Sequence, residues 1–261
     1  MSSAGKFIVV DGMDGSGKTT ISKLLVDNMS KEGYRVEWTN EPYIDPTGID
    51  QSGNILRERL KMRKPARTYL QKLSEMSDVY KFHAGDDMLN FVKSSVPGVL
   101  KELFSEDVVE ARSDASMFFY NRVMHNTVYI KPRLKAGISV ICDRYNPSTL
   151  AFQQTQRLSL ENELMPQYDM LSGYGMMERP AVNLIFDVSP DVAAERMKNT
   201  GKPLEKFENL EFQNALRQNF FDLKDKLKGK ENMEFVNANG SMESVYNTVY
   251  KKVKRYMGAA A

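Results

Sequence analysis

Residues 6–31, KFIVVDGMDGSGKTTISKLLVDNMSK, carry the clearest structural signal in the sequence. The first six residues form a short β-branched apolar run bounded by a glycine, which predicts a buried strand. From Lys18 onward, apolar residues recur at the spacing of a helix face. Between strand and helix, Gly12–Thr19 matches the pattern G-x-x-x-x-G-K-[ST] at every fixed position. The sequence therefore predicts a phosphate-binding loop in the context that its mechanism requires.

The chemistry of this loop follows from its residue types. Glycines let the backbone curl around a phosphate with its N–H groups pointing inward, and the following helix adds its positive N-terminal end. Lys18 is expected to reach the β- and γ-phosphates of ATP and Thr19 to ligate Mg²⁺. The predicted ATP-binding residues of this segment are Gly12, Asp14, Gly15, Ser16, Gly17, Lys18, Thr19 and Thr20.

The rest of the chain alternates between strand-like and helix-like segments. Further strands are predicted at 35–39, 138–142, 183–188 and 233–236, with helices clearest at 113–135, 190–199, 205–228 and 241–257. Strands separated by helices predict an α/β fold in which helices cover both faces of a five-stranded parallel sheet. We expect residues 1–261 to form a single P-loop nucleotide kinase domain. A helical insertion is expected at 61–112, with helical pieces at 68–82 and 87–104.

Composition narrows the class of protein. A single cysteine among 261 residues excludes an internal disulfide scaffold and favours a reducing compartment, so a cytoplasmic location is expected. The net charge of +2 provides no overall basic field for nucleic acid, and no apolar run approaches the length of a membrane span. The N-K-x-D motif typical of GTPases does not occur. These features favour a small-molecule kinase that binds neither nucleic acid nor membrane.

A second constellation, Ile141–Tyr145, ends the predicted third strand with the pair Asp143–Arg144. Ligands of a parallel sheet collect at the carboxyl ends of its strands, so this pair should face the same crevice as the phosphate loop. Arg144 can clamp an acceptor phosphate with two N–H groups, and Asp143 can hold Mg²⁺. A local ion pair at the end of a strand is the alternative interpretation.

At this point the sequence resembles the thymidylate kinase family of nucleoside monophosphate kinases. The matching stretches are FIVVDGMDGSGKTT (7–20), NEP (40–42), SMFFYNR (116–122), CDRYNPSTLAFQ (142–153), LIFDVSPDVAAERM (184–197) and FVNANGSMESV (235–245). The resemblance implies transfer of a phosphoryl group from ATP, with Mg²⁺, to a deoxynucleoside 5′-monophosphate. The acceptor would be dTMP alone or several such nucleotides. It also implies a homodimer.

The family's acceptor-site residues map onto individual positions of this chain. Asp14 matches the acidic residue that contacts the sugar 3′-hydroxyl, Phe118 the aromatic that stacks on the base, and Arg122 the arginine that reads the base edge. Phe152 takes the place of a Tyr beside the sugar 2′ carbon, where an apolar ring should disfavour a ribose hydroxyl. The full acceptor-binding set is Asp14, Glu41, Arg57, Phe118, Arg122, Arg144, Tyr145, Thr149, Phe152 and Gln153.

The resemblance also places a mobile lid at 197–209 and an adenine-contacting loop at Asn237 and Ala238. Family members without an arginine in the phosphate loop are expected to use basic lid residues, and this chain has Gly15 there. The basic candidates are Arg196, Lys202 and Lys206, with Arg196 also counted among the ATP-binding residues. The catalytic set implied is Lys18, Asp143, Arg144, Lys202 and Lys206, and the metal set is Thr19 and Asp143.

Several features depart from the family pattern. Asn40 replaces the arginine of the usual Arg-Glu-Pro, the Gly-Gly-Thr that follows is absent, and the 61–112 insertion has no counterpart in an ordinary member. Viral deoxynucleotide kinases of this type accept several bases, so the base preference stays open. Two other functions also stay open: a deoxynucleoside kinase that uses Glu41 as its base, and a non-catalytic nucleotide-binding module.

Overall fold

The computed structural model describes residues 4–61, 106–198 and 210–258, and these contain one parallel sheet. Its strands are β1 (Phe7–Gly12), β2 (Val36–Asn40), β3 (Ser139–Asp143), β4 (Val182–Asp187) and β5 (Met233–Asn237). They lie in the order β2-β3-β1-β4-β5, and every pairing is parallel. The predicted fold class is confirmed, and each strand begins and ends within one residue of its predicted bounds.

Helices pack around this sheet in the described ranges. They are α1 (Lys18–Lys31), α2 (Ser52–Lys61), α3 (Glu106–His125), α4 (Lys131–Lys135), α5 (Asn146–Thr155), α6 (Met165–Gly173), α7 (Pro190–Lys198), α8 (Leu210–Lys226) and α9 (Met242–Met257). Single π-helical turns lie at Asn126–Ile130 and Leu160–Leu164. None of these helices has both the length and the apolar character needed to cross a membrane.

The helices differ from the sequence prediction in two ways. The segment predicted as one helix at 113–135 consists of α3, a π-helical turn and α4, and α3 already begins at Glu106 within the predicted insertion. Helices α2, α5 and α6 were not singled out from the sequence. The helical pieces predicted at 68–82 and 87–104 lie outside the described residues, as do residues 199–209 of the predicted lid, including Lys202 and Lys206.

Strand β1 lies at the centre of the sheet and is buried on both faces. Ile8 and Val10 belong to the larger apolar core, whereas Phe7 and Val9 belong to a smaller one on the opposite face. Val10 is aligned with Asp143 of β3. Because β1 and β3 are neighbours in register, the phosphate loop after β1 and the Asp143–Arg144 pair meet at one edge of the sheet.

Asp11 fixes helix α5 against this edge. Its buried carboxylate accepts hydrogen bonds from the backbone N–H of Tyr145 (3.2 Å) and from both the backbone N–H (2.9 Å) and the hydroxyl (2.5 Å) of Ser148. Burial raises the pKa of Asp11, although nearby Arg144 and these hydrogen bonds oppose the rise. The N-terminus of α5 is thereby attached to the carboxyl end of β1, directly beside the phosphate loop.

Candidate active site

The phosphate loop adopts a backbone conformation that its glycines make accessible. Gly15 and Gly17 have φ angles of 76° and 86°, in the left-handed region. A Cβ atom at Gly15 would lie 2.5 Å from the carbonyl oxygen of Ala193 in α7, whereas one at Gly17 would meet nothing within 4 Å. The loop therefore rests directly on the backbone of α7 at Gly15.

The side chain of Asp14 brings two predicted catalytic cations together. Lys18 donates from Nζ to the carbonyl oxygen of Met13 (3.0 Å) and to Oδ1 of Asp14 (3.3 Å). Arg144 donates from Nη2 to the same Oδ1 of Asp14. Burial opposes ionisation of Asp14, but the two cations outweigh it and lower the pKa of this carboxyl. Lys18 and Arg144 thus share one anionic partner, although they come from different parts of the chain.

Arg144 is held on three sides. Its Nη2 contacts Asp14, and its Nη1 donates to the hydroxyl of Ser148 (3.0 Å) and to the carbonyl oxygen of Gly12 (3.2 Å). The backbone of Arg144 is left-handed, with φ 72°, which few residues other than glycine adopt. Such a conformation persists when surrounding contacts over-determine it, and it occurs most often at functional sites.

The residues predicted to hold Mg²⁺ are in direct contact. The hydroxyl of Thr19 donates to Oδ2 of Asp143, whose Oδ1 is buried without a hydrogen-bond partner. A hydroxyl and a carboxylate beside a phosphate loop suit Mg²⁺, which is usually bound through one or two carboxylates together with substrate phosphates. Within the described ranges, no group of three or more His, Cys, Asp or Glu is arranged for a metal. The residues therefore fit the ion.

A cleft adjoins these charged groups. Its lining residues are Asp14, Glu41, Pro42, Leu60, Asp114, Phe118, Arg122, Arg144, Ser148, Thr149, Phe152, Gln153 and Gln156. Eight of the ten predicted acceptor residues line the cleft, and the two that do not are Arg57 and Tyr145.

Helices α3 and α5 form the two walls of the cleft. Asp114, Phe118 and Arg122 are spaced four apart on α3 and therefore share one face of it. Phe119 instead packs in the core, so only Phe118 of the aromatic pair faces the cleft. On α5, the ring of Phe152 lies 5.2 Å from the guanidinium of Arg144.

Arg122 and Glu41 form a buried ion pair at the base of the cleft. Oε2 of Glu41 accepts from Nε (2.8 Å) and Nη2 (2.6 Å) of Arg122, and the two side chains are 3% and 1% exposed. Nη2 also donates to the carbonyl oxygen of Tyr145 (3.0 Å) and to the hydroxyl of Thr149 (3.0 Å). Tyr145 thus contributes its backbone here, while its buried hydroxyl donates to the carbonyl oxygen of Glu178 (3.0 Å).

Arg57 of α2 contacts the Glu41–Pro42 segment. Its Nη2 donates to the carbonyl oxygen of Pro42 (3.3 Å), and its buried Nε has no hydrogen-bond partner. Helix α2 approaches this segment closely at Gly53, where a Cβ atom would lie 1.8 Å from the carbonyl oxygen of Tyr43. An unpaired buried donor on a cation is costly unless a ligand satisfies it.

The predicted adenine side lies at the carboxyl ends of β4 and β5. Arg196 of α7 donates to the carbonyl oxygens of Ala238 (2.9 Å) and Gly240 (3.0 Å), so its guanidinium braces the loop that follows β5. Asn237 supports the same loop through its Oδ1, which accepts from the backbone N–H of Asn239 (3.0 Å). The structure thus places Arg196 with Asn237 and Ala238.

Sequence reasoning missed several polar residues around the site. Asp11 and Ser148 tie the end of β1 to α5, and Nδ1 of His125 lies 3.1 Å from Oε1 of Glu41. Arg217 of α8 makes a two-point ion pair with Asp187 at the end of β4 (2.5 and 3.0 Å). One available signal was the position of His125 three residues after Arg122, which places both on adjacent turns of one helix face.

Comparison with known proteins gives a consistent result. A family model described as thymidylate kinase matches residues 93–249, more than half of the chain. A probable thymidylate kinase of Staphylothermus marinus is 27% identical, with 97% of this chain and 96% of that protein covered. A probable thymidylate kinase of Pyrococcus abyssi is 28% identical, with 96% of each chain covered, and a thymidylate kinase of Clostridium novyi is 26% identical over 94% of this chain and 96% of its own.

Proposed function

Since the chain belongs to the thymidylate kinase family, we propose that it transfers the γ-phosphoryl group of ATP to deoxythymidine 5′-monophosphate. One observation carries this assignment to particular residues. Lys18 of the phosphate loop and Arg144, which lines the adjoining cleft, contact the same carboxylate of Asp14. A donor phosphate on the loop and an acceptor phosphate at Arg144 would therefore lie next to each other.

The chemistry needs no general base. An acceptor phosphate monoester has a second pKa of about 6 and is largely ionised near neutrality. What remains is positioning and neutralisation of charge, which Lys18 and Arg144 supply at the junction of the two nucleotides. Thr19 and Asp143 would hold Mg²⁺, which neutralises charge on the phosphates of ATP when bound.

The acceptor cleft suits a deoxynucleotide. Phe118 offers a face for the base and Phe152 an apolar wall for the sugar. A ribose hydroxyl against an apolar ring would be buried without a partner, which costs about 1–3 kcal/mol. Arg57, with its unsatisfied Nε, is proposed as a second contact to the acceptor phosphate. The family resemblance further implies a homodimer, which light scattering on the purified protein would test.

A deoxynucleoside kinase is not favoured, because it needs a general base for its hydroxyl acceptor. The candidate base is Glu41. Its Oε2 accepts a hydrogen bond from Arg122, and its Oε1 lies 3.1 Å from Nδ1 of His125, so both carboxylate oxygens already have partners. Membership of a family of enzymes likewise does not favour a non-catalytic nucleotide-binding module.

The decisive experiment is an acceptor screen with the purified protein, ATP and Mg²⁺, in which ADP release is measured. Thymidine, dTMP, the other deoxynucleoside monophosphates and their ribose counterparts would be compared. We expect turnover with dTMP and none with thymidine. Turnover with thymidine would support the nucleoside kinase, and absence of ADP release with every acceptor would refute the kinase assignment.

A further inference from the structure

We propose that His125, which contacts Thr39, is a positioning residue that holds Glu41 so that the guanidinium of Arg122 keeps a fixed orientation toward the acceptor base. The inference rests on the proposed function and extends it to the control of base selectivity. His125 itself does not line the cleft, so it would act through its neighbours.

Four side chains form a continuous hydrogen-bonded line from β2 to the cleft. Thr39 Oγ1 lies 2.8 Å from His125 Nε2, and His125 Nδ1 lies 3.1 Å from Glu41 Oε1. The other oxygen of Glu41 accepts two N–H groups of Arg122. Each of the four residues is buried, and His125 is 0% exposed. Water therefore offers no ready substitute for any of these partners.

The line fixes the tautomer of His125. Arg122 is always a cation, so the carboxylate between it and His125 acts as an acceptor. Nδ1 of His125 then carries the proton and donates to Glu41, while Nε2 accepts from the hydroxyl of Thr39. The ring is stacked on Tyr43, with centroids 4.3 Å apart and planes 8° apart, which fixes its orientation.

This arrangement determines the plane of the Arg122 guanidinium. Glu41 grips Nε and Nη2, and Nη1 donates to Oδ1 of Asn146 (3.2 Å). If Glu41 lost its contact with His125, a buried carboxylate oxygen would be left without that donor and the carboxylate could turn. The guanidinium would then be held less firmly against the base, which weakens binding of the acceptor without changing the chemical step.

The orientation of the Arg122 guanidinium is expected to determine which base the acceptor site prefers. Thymine has a carbonyl acceptor at position 4, whereas cytosine has an amino donor there. Arg122 has only donors, so a rigidly held guanidinium should favour thymine and reject cytosine. A loosened guanidinium should discriminate less, even when the chemical step is unaffected.

The test compares the wild-type protein with His125→Phe, His125→Gln and Thr39→Val. Phenylalanine preserves the stacked ring without hydrogen bonds, and glutamine preserves one donor and one acceptor. For His125→Phe we expect about a tenfold rise in KM for dTMP and about a tenfold fall in the ratio of kcat/KM for dTMP over dCMP. The KM for ATP and the kcat should stay within about threefold. His125→Gln should restore most of the ratio.

Thr39→Val serves if His125→Phe does not fold, because it leaves the imidazole in place and removes only the partner of Nε2. It should change the base ratio in the same direction by about threefold. Tyr129→Phe is the matched control, since it keeps its ring near His125 (centroids 5.7 Å apart) and loses only the bonds from its hydroxyl to Glu37 (2.8 Å) and to the carbonyl oxygen of Trp38 (3.4 Å). It should leave both KM values and the base ratio unchanged.

The outcomes separate the two levels of inference. Wild-type protein that fails to phosphorylate dTMP would refute the proposed function and this inference with it. Active wild-type protein whose base ratio is unchanged in folded His125→Phe and in Thr39→Val would refute the positioning role alone. Equal rises in the KM for ATP and for dTMP would also refute it, because they would indicate general structural damage.

Discussion

Replacement of Arg144 by lysine separates the shape of its side chain from its charge. The guanidinium reaches Gly12, Ser148 and Asp14 at the same time through two nitrogen atoms. A lysine at this position keeps the positive charge on a single nitrogen and cannot reproduce the fork. Both Arg144→Lys and Arg144→Ala keep a Cβ atom at the left-handed φ of 72°, so neither changes the backbone strain.

The size of the effect follows from the contacts that are lost. Removal of one positioned donor to a developing charge costs about 2.7–4 kcal/mol, or about a hundred- to a thousandfold in turnover. Arg144→Ala should therefore reduce kcat/KM for dTMP by about a thousandfold or more. Arg144→Lys keeps the charge and loses the two-point geometry, so about a tenfold to hundredfold loss is expected.

The assay is ADP release at saturating ATP with dTMP varied, and circular dichroism and urea unfolding verify that the variants fold. The KM for ATP should change little in either variant, because the phosphate loop retains Lys18. If folded Arg144→Lys worked within about threefold of the wild-type rate, the fork geometry would carry no catalytic weight. The assignment of Arg144 as the acceptor clamp would then be wrong.

Three further predictions concern the loop, the cleft and the buried histidine. In urea unfolding, Gly17→Ala should lower the free energy of unfolding by about 1–2 kcal/mol, because alanine is strained in the left-handed conformation. Gly15→Ala should lower it by about 1–3 kcal/mol more, because its Cβ atom also meets the backbone of Ala193; equal losses in the two variants would contradict this contact. Phe152→Ala should lower the ratio of kcat/KM for deoxy- over ribonucleotide acceptors by about tenfold, and an unchanged ratio would exclude the ring from sugar selection. Burial lowers the pKa of His125 below its ordinary 6.5, so the stability that it contributes is full above that pH and is lost as the pH falls. Between about pH 7 and 5, the free energy of unfolding of His125→Gln should therefore fall less steeply than that of the wild type, by at most about 1.4 kcal/mol per pH unit. Parallel pH curves for the two proteins would show that His125 does not titrate in this way.

The sheet was predictable because its signals are local. The three central strands, β3, β1 and β4, are short and largely apolar runs that are buried on both faces, so such a run is itself the signature. Helix α1 begins and ends where the sequence places it, because the phosphate-loop motif fixes its start. Helix α5 was not singled out, since it buries Asn146, Thr149 and Gln153 along with its apolar residues. Polar residues that face a cleft obscure the apolar periodicity by which a helix is detected.

In the candidate site, too, local motifs could be predicted from the sequence, whereas contacts between distant residues could not. The phosphate loop and the Asp143–Arg144 pair are contiguous motifs at strand ends, and the structure places them together. The residue pairs that shape the surrounding cleft are distant in sequence: Glu41 and Arg122 lie 81 positions apart, and Asp11 and Ser148 lie 137 apart. Nothing local to either partner specifies the other. The residues that hold a site in shape are therefore less accessible from sequence than the residues that perform its chemistry.

The contact between Gly15 and helix α7 has a consequence for engineering. A side chain at position 15 would project into the main chain of Ala193, so an arginine cannot be grafted onto the loop as a point mutation while α7 stays in place. A chimera that supplies a new cation from this loop must exchange α7 along with it. The phosphate loop and α7 should therefore be exchanged as one unit. In directed evolution, a change in one of them should be accompanied by compensating changes in the other.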